Sequence, residues 1–99
     1  MDPFKPYEPK PARPKAGKVD AEEVALKALA WIMADDDMVG RFVGLTGAGP
    51  DEIRARIKQP DFLGAVLDFI LGDEPTLMDF VQAEGLAPEV PMLARAKLP

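Results

Sequence analysis

The sequence predicts an all-α fold, and three observations support this prediction. Apolar residues lie on one face of helix-length stretches throughout residues 20–98. Residue types that begin and end helices separate these stretches at short intervals. Residues 29–53 and 67–91 also match each other at an offset of 38 positions, with seven of 25 pairs identical. A period of this length indicates a repeated supersecondary unit. We therefore expect about six short helices in one compact domain, arranged as two pseudo-repeated three-helix units, about 20–58 and 60–98, across an approximate two-fold.

Residues 1–18 differ in composition from everything that follows. They contain five prolines and carry a net charge of +3, which leaves −8 for the remaining residues. Such a segment has too few apolar residues to offset the entropy cost of ordering. We predict a disordered, basic, Pro-rich arm and a helical domain from residue 19 onwards.

The first helix is expected to begin after Asp20, whose carboxylate can cap the free amides of the first turn. Glu23 can reach back to complete a capping box, and Val19 can pack on Val24 as a hydrophobic staple. The helix should extend to about Ala34. Its broad apolar face comprises Val24, Ala28, Leu29, Trp31 and Ile32.

Helices two and three are predicted from their end signals. The acidic residues 35–37 favour the positive end of a helix dipole, and Gly47 is a left-handed stop. The apolar residues of helix two that should face inward are Val39, Phe42, Val43 and Leu45. Pro50 then opens a short helix to about Lys58 that turns Ile53 and Ile57 to the core.

The second unit repeats these signals. Helix four is expected over about residues 61–71, and its buried residues should be Phe62, Leu63, Val66, Leu67 and Ile70. Residues 73–75 open helix five, which Gly85 ends. Pro88 should open a last helix that extends to about Leu98, in which Pro91 is tolerated near the first turn.

The composition excludes many functions because the chain has no His, Cys, Ser or Asn. The usual general bases and nucleophiles are therefore absent, as are thiolate and imidazole metal ligands. We expect no enzyme activity, no catalytic residues, no cofactor and no metal. The acidic cluster at 35–37 is interpreted as a helix cap rather than a calcium loop, since the spacing of an EF-hand is missing. With neither a signal peptide nor a membrane span, the expected location is the cytoplasm.

The aromatic residues are expected to pack in the core. A two-fold between the units would bring Trp31 near Phe69 and Phe42 near Phe80. A cavity at this seam is left open by the sequence.

The leading hypothesis is a non-enzymatic protein–protein interaction module that binds another protein, or itself, through an apolar groove near the repeat seam. The alternative is weak nucleic-acid binding through the basic arm and helix three, although an acidic domain disfavours phosphate contacts. Function is expected where the two units differ. The candidate interaction residues are Gly40 and Gly44, small residues that allow another helix to approach closely, and the basic Arg54, Arg56 and Lys58.

The strings ALAWIMADDDMVGRFVGLTGAGPDEIRARI and FLGAVLDFILGDEPTLMDFVQAEGLAP carry a resemblance. Residues 22–98 resemble a family of small uncharacterised helical proteins of alphaproteobacteria, catalogued as a domain of unknown function. The resemblance implies a bacterial, cytoplasmic, all-helical protein. It implies no activity, cofactor or catalytic residue, and it does not extend to the arm.

Overall fold

The computed structural model describes residues 19–99, which form six α-helices and contain no strand. The predicted all-α fold is confirmed. The predicted disordered arm, residues 1–18, lies outside the described residues. The helices are α1 (Ala21–Met33), α2 (Asp36–Thr46), α3 (Pro50–Arg56), α4 (Pro60–Leu71), α5 (Glu74–Glu84) and α6 (Val90–Ala96).

Side-chain caps fix the starts of three helices, and the sequence predicted each of them. The Asp20 carboxylate accepts a hydrogen bond from the Glu23 amide at 3.1 Å. Asp35 accepts from the amides of Asp37 and Met38, at 2.9 and 3.3 Å. Asp73 caps α5 in the same way. The interpretation of the acidic cluster as a cap is therefore confirmed.

Two glycines end helices in the left-handed conformation, as predicted. Gly47 follows α2 with φ 75°, and Gly85 follows α5 with φ 68°. A side chain at either position would be strained, because L-residues rarely adopt positive φ.

The predicted start of the last helix is wrong. Helix α6 begins at Val90 rather than at Pro88. Proline lacks an amide hydrogen, so Pro91 fits only in the first turn, where amides have no partner within the helix. A helix that began at Pro88 would place Pro91 where an intrahelical hydrogen bond is needed.

Helix α4 forms the centre of the core. It packs against α1, α5 and α6, and α1 packs in turn against α2 and α6. The predicted buried residues of α4 are confirmed, and Gly64 and Phe69 are buried with them. Helix α2 was predicted less well, because Leu45 is 75% exposed and only Phe42 of that helix is buried. Leu45 lies near the end of α2, where no described helix covers it.

The aromatic side chains pair differently from the prediction. Trp31 packs on Phe80, with ring centroids 5.7 Å apart, and Phe42 packs edge-on to Phe69 at 5.3 Å. The predicted partners are therefore exchanged. Trp31 pairs with Phe80 instead of Phe69, and Phe42 pairs with Phe69 instead of Phe80. Phe42 is also edge-on to Phe62 at 6.1 Å.

Some features recur at the offset of 38 residues. Helices α2 and α5 both have 11 residues and start 38 positions apart, and their caps and glycine stops follow the same offset. The third helices of the two units differ in their packing. Helix α6 packs against both α1 and α4, whereas α3 packs extensively against no helix of residues 19–99. The internal repeat itself stays a prediction.

Candidate functional site

An open apolar groove lies between α1 and α3. It consists of two adjoining depressions of about 330 and 260 Å³, which share Leu26 of α1 and Ile57 at the end of α3. The depressions together extend from Glu22 at the start of α1 to Met33 at its end. The groove is thus as long as the helix that forms one of its walls.

The wall on α1 is a stripe of three side chains, Leu26, Ala30 and Met33. Their spacing of four and three residues places them on one face of the helix. Leu26 and Met33 are each 38% exposed, so they are only partly covered by the fold. This stripe lies beside the buried residues of α1.

The floor of the groove contains residues of both helices, and the opposite wall belongs to the α3 side. Leu29 and Ile53 are buried, at 3% and 5% exposure, and form the floor. Pro50 and Ile57 form the wall on the α3 side. The proline opens α3 and lacks an amide hydrogen, so it brings no backbone donor to this wall.

Charged side chains border the groove. Lys58 and Glu22 lie at one end, and Arg54 lies along the α3 side. Arg54 pairs with Asp51 of its own helix at 3.5 Å, but their side chains are 80% and 101% exposed. Such a pair contributes little to stability because water and salt screen it.

The residues that lie 38 positions after those of the groove form a tight crossing of α4 and α6. The counterpart of Leu26 is Gly64 in α4, which is buried. A Cβ atom built on Gly64 would lie 3.1 Å from the Pro99 carbonyl oxygen and 3.2 Å from Arg95 Cζ. The missing side chain therefore lets the C-terminal segment approach α4, whereas a leucine occupies the matching position of α1.

A salt bridge reinforces the crossing of α4 and α6. Arg95 Nε donates to Asp68 at 2.7 Å, and a second guanidinium nitrogen donates to the other carboxylate oxygen at 3.3 Å. These hydrogen bonds raise the pKa of Arg95 above its usual value. The positions that correspond to Asp68 and Arg95 are Ala30 and Ile57, so the groove has apolar side chains where the crossing has a bidentate ion pair.

The structure brings together some of the predicted interaction residues and not others. Arg54 and Lys58 border the groove, whereas Arg56 is exposed on α3 and does not line it. Gly40 and Gly44 lie on α2, and no described atom comes within 4 Å of a Cβ built on either glycine. They therefore do not admit another described helix of this chain.

The apolar wall on α1 was missed by the sequence analysis. Leu26 and Met33 were not among the candidates, although Leu26, Ala30 and Met33 form a regular helical stripe. This second stripe was the available signal, but periodicity alone cannot show which stripe the fold covers.

A second, smaller depression of about 250 Å³ lies between α2 and α4. Exposed Leu45 borders it together with Phe69 and Asp68. Asp68 is already engaged by Arg95, and Arg41 lies over the Phe69 ring at 5.7 Å. The acidic and the aromatic side chain of this depression are thus already contacted by two arginines of the chain itself.

The acidic side chains of residues 19–99 include one, Asp73, whose pKa is shifted. Within residues 19–99 no three acidic side chains cluster as metal ligands would. The pKa of Asp73 is lowered because the Thr76 hydroxyl and amide donate to its carboxylate, with a further contribution from Arg41. This shift is explained by helix capping. No helix in this part of the chain has the length and apolarity needed to cross a membrane.

These features define a small all-α protein with an apolar groove between two of its helices. The chain belongs to the family described as "Protein of unknown function (DUF3572)", which matches residues 18–99. The membership agrees with the resemblance to a domain of unknown function, while the predicted restriction to alphaproteobacteria remains a prediction. Neither a curated protein nor a solved structure matches the chain.

Proposed function

We propose that this protein is a non-enzymatic interaction module that binds a partner protein in the groove between α1 and α3. The observation that supports the proposal is the contrast between two matched regions. Gly64 and the Arg95–Asp68 pair allow α4 and α6 to pack tightly, whereas the groove keeps Leu26 and Met33 partly exposed.

The energetics favour occupation of this groove by another apolar surface. Burial of apolar area stabilises a complex by roughly 25 cal/mol per Å². The exposed parts of Leu26 and Met33 lie beside an apolar floor, so one partner can cover both at once. A groove between helices is also a common receptor for a helical segment.

Nucleic-acid binding remains the alternative, and no observation on the described residues favours it. Arg54 and Arg56 are exposed on α3 and Lys58 is exposed just after it, but the helix begins with exposed Asp51 and Glu52. Duplex binding that weakened steeply with rising salt would support this alternative.

Site-specific photocrosslinking in the native cell tests the proposal. A photoreactive amino acid replaces exposed Ala30 in the groove wall, and the control carries it at Asp79, exposed on α5. We expect a discrete crosslinked protein from position 30 and none from position 79.

Two methionine substitutions provide a matched test of the same groove. Met33→Lys should abolish the crosslink from position 30, because it places a charge in the apolar wall. Met92→Lys should leave it intact, since Met92 is 58% exposed on α6 and does not line the groove. The proposal is wrong if no protein crosslinks at position 30, or if Met33→Lys leaves the product unchanged.

A further inference from the structure

We infer that the partner of this groove is an amphipathic α-helix whose flank facing α3 carries carboxylates. This inference rests on the proposed function and specifies its ligand. Three properties of the groove lead to it: its length, the spacing of its apolar wall, and the charges along its border.

The dimensions of the groove suit about three turns of helix. The wall extends along α1 from Glu22 to Met33, which corresponds to about 16 Å at the rise of an α-helix. Leu26, Ala30 and Met33 repeat at helical spacing along it. A partner helix with apolar residues at positions i, i+4 and i+7 would therefore contact the whole wall.

The charges specify which kind of amphipathic helix fits. Arg54 and Lys58 border the α3 side, whereas Glu22, the acidic residue that lines the groove, lies on α1. Within residues 19–99 Lys58 makes no salt bridge. The only partner of Arg54 there is the highly exposed Asp51, which a ligand carboxylate can replace at little cost. A partner with lysines on that flank would meet like charges.

The same charges argue against two other occupants. The chain's own residues 1–18 carry a net charge of +3, so they are mismatched to the basic border. A second copy that docked groove to groove would place its own Arg54 and Lys58 against this basic border. The experiments below include both possibilities as outcomes.

Two synthetic helical peptides of 14 residues or so, about four turns, provide the direct test with the full chain. Both carry leucines at positions i, i+4 and i+7. One has glutamates on the flanking positions, and the other has lysines there. Fluorescence anisotropy of the labelled peptides measures the dissociation constants at low and moderate salt. We expect the glutamate peptide to bind at least about tenfold more tightly at low salt.

Substitutions at the groove and beside it separate specific contacts from a general attraction to basic residues. Arg54→Gln and Lys58→Gln should each weaken binding of the glutamate peptide about two- to fivefold. Arg56→Gln removes the same charge from the same helix, but Arg56 does not line the groove, so this variant should bind like the wild type. Leu26→Lys should weaken binding by more than about tenfold.

The possible results distinguish this inference from the proposed function. Equal binding of the two peptides, or no binding of the glutamate peptide, overturns the inference, while the crosslink at position 30 decides the proposed function independently. Equal losses for Arg56→Gln and Arg54→Gln would also overturn it. Sedimentation that showed a dimer, made monomeric by Leu26→Lys, would identify a second copy as the occupant instead. Tighter glutamate-peptide binding by a chain without residues 1–18 would identify the arm as the occupant.

Discussion

Helices α3 and α6 stand at matching places in the sequence but have different roles in the structure. In α6, Val90, Pro91 and Ala94 are buried, and the helix packs on both α1 and α4. In α3 only Ile53 is buried, and the helix lies beside α1 with a groove between them. The comparison shows that the same succession of helices can give a closed core or an open surface, according to a few side chains at the crossing.

The two regions differ most clearly at one pair of matching positions, in α4 beside α6 and in α1 beside α3. Gly64 of α4 leaves space that Arg95 and the C-terminal carbonyl of Pro99 fill. Leu26 of α1 occupies the matching position, and Ile57 stands at the position that corresponds to Arg95. A glycine is conformationally costly within a helix, so its presence in α4 is explained by the close approach that it permits.

The strongest test of this comparison exchanges buried and exposed residues at matching positions. Ala94→Arg places a charge at a fully buried site of α6 and should lower the free energy of unfolding by roughly 3–5 kcal/mol. Arg56→Ala, at the matching position of α3, should change it by no more than about 0.5 kcal/mol. Urea denaturation measures both values, and similar losses for the two variants would contradict the asymmetry.

A glycine substitution tests the tight crossing directly. Gly64→Leu should lower the free energy of unfolding by about 1–3 kcal/mol, because the new side chain must displace Arg95. Gly40→Leu is the control, since its side chain meets open space and gains up to about 1 kcal/mol from helix propensity. Chemical denaturation of both variants gives the comparison. A neutral Gly64→Leu variant would show that α6 does not require this close approach.

The salt bridge at the crossing should contribute less than the packing. Asp68→Asn is expected to lower the free energy of unfolding by about 0.2–1 kcal/mol at low salt, because both partners are partly exposed. The loss should shrink in about 1 M salt as screening increases. Asp79→Asn, at an exposed position of α5, is the control and should show no such salt dependence. Thermal or urea unfolding at both salt concentrations checks the expectation.

The smallest expected effect concerns the cap of α5, whose contribution to stability is lost in acid. The Thr76 hydroxyl lowers the pKa of Asp73 in the folded state, so the ionised carboxylate stabilises the fold above its ordinary unfolded pKa. This contribution is lost as the pH falls through the lowered folded value. Thr76→Val should therefore lose less stability than the wild type between about pH 5 and pH 2.

A second threonine supplies the control for this pH effect. The Thr46 hydroxyl donates to the Phe42 carbonyl at 2.7 Å and has no carboxylate partner. Thr46→Val should therefore keep the pH dependence of the wild type. Urea midpoints measured across this pH range distinguish the variants, and identical curves for Thr76→Val and the wild type would refute the expected role of the hydroxyl.

The candidate site was only partly predictable from sequence. Arg54 and Lys58 were predicted because they are basic and the second unit has no basic residue at the matching positions. Leu26 and Met33 were missed, since an apolar stripe is compatible with both burial and exposure. Gly40 and Gly44 were chosen for their small size, but size alone does not show whether anything approaches them.

The sequence by itself determined the helices, because the signals that start and stop them act within a few residues. Asp20, Asp35 and Asp73 cap the nearest free amides, and Gly47 and Gly85 adopt a backbone conformation that other residues avoid. The tertiary structure alone decided which aromatic rings pair and which apolar stripe of α1 remains open. Those outcomes depend on contacts between residues far apart in the chain, and a local pattern does not specify which distant helix will cover a given face.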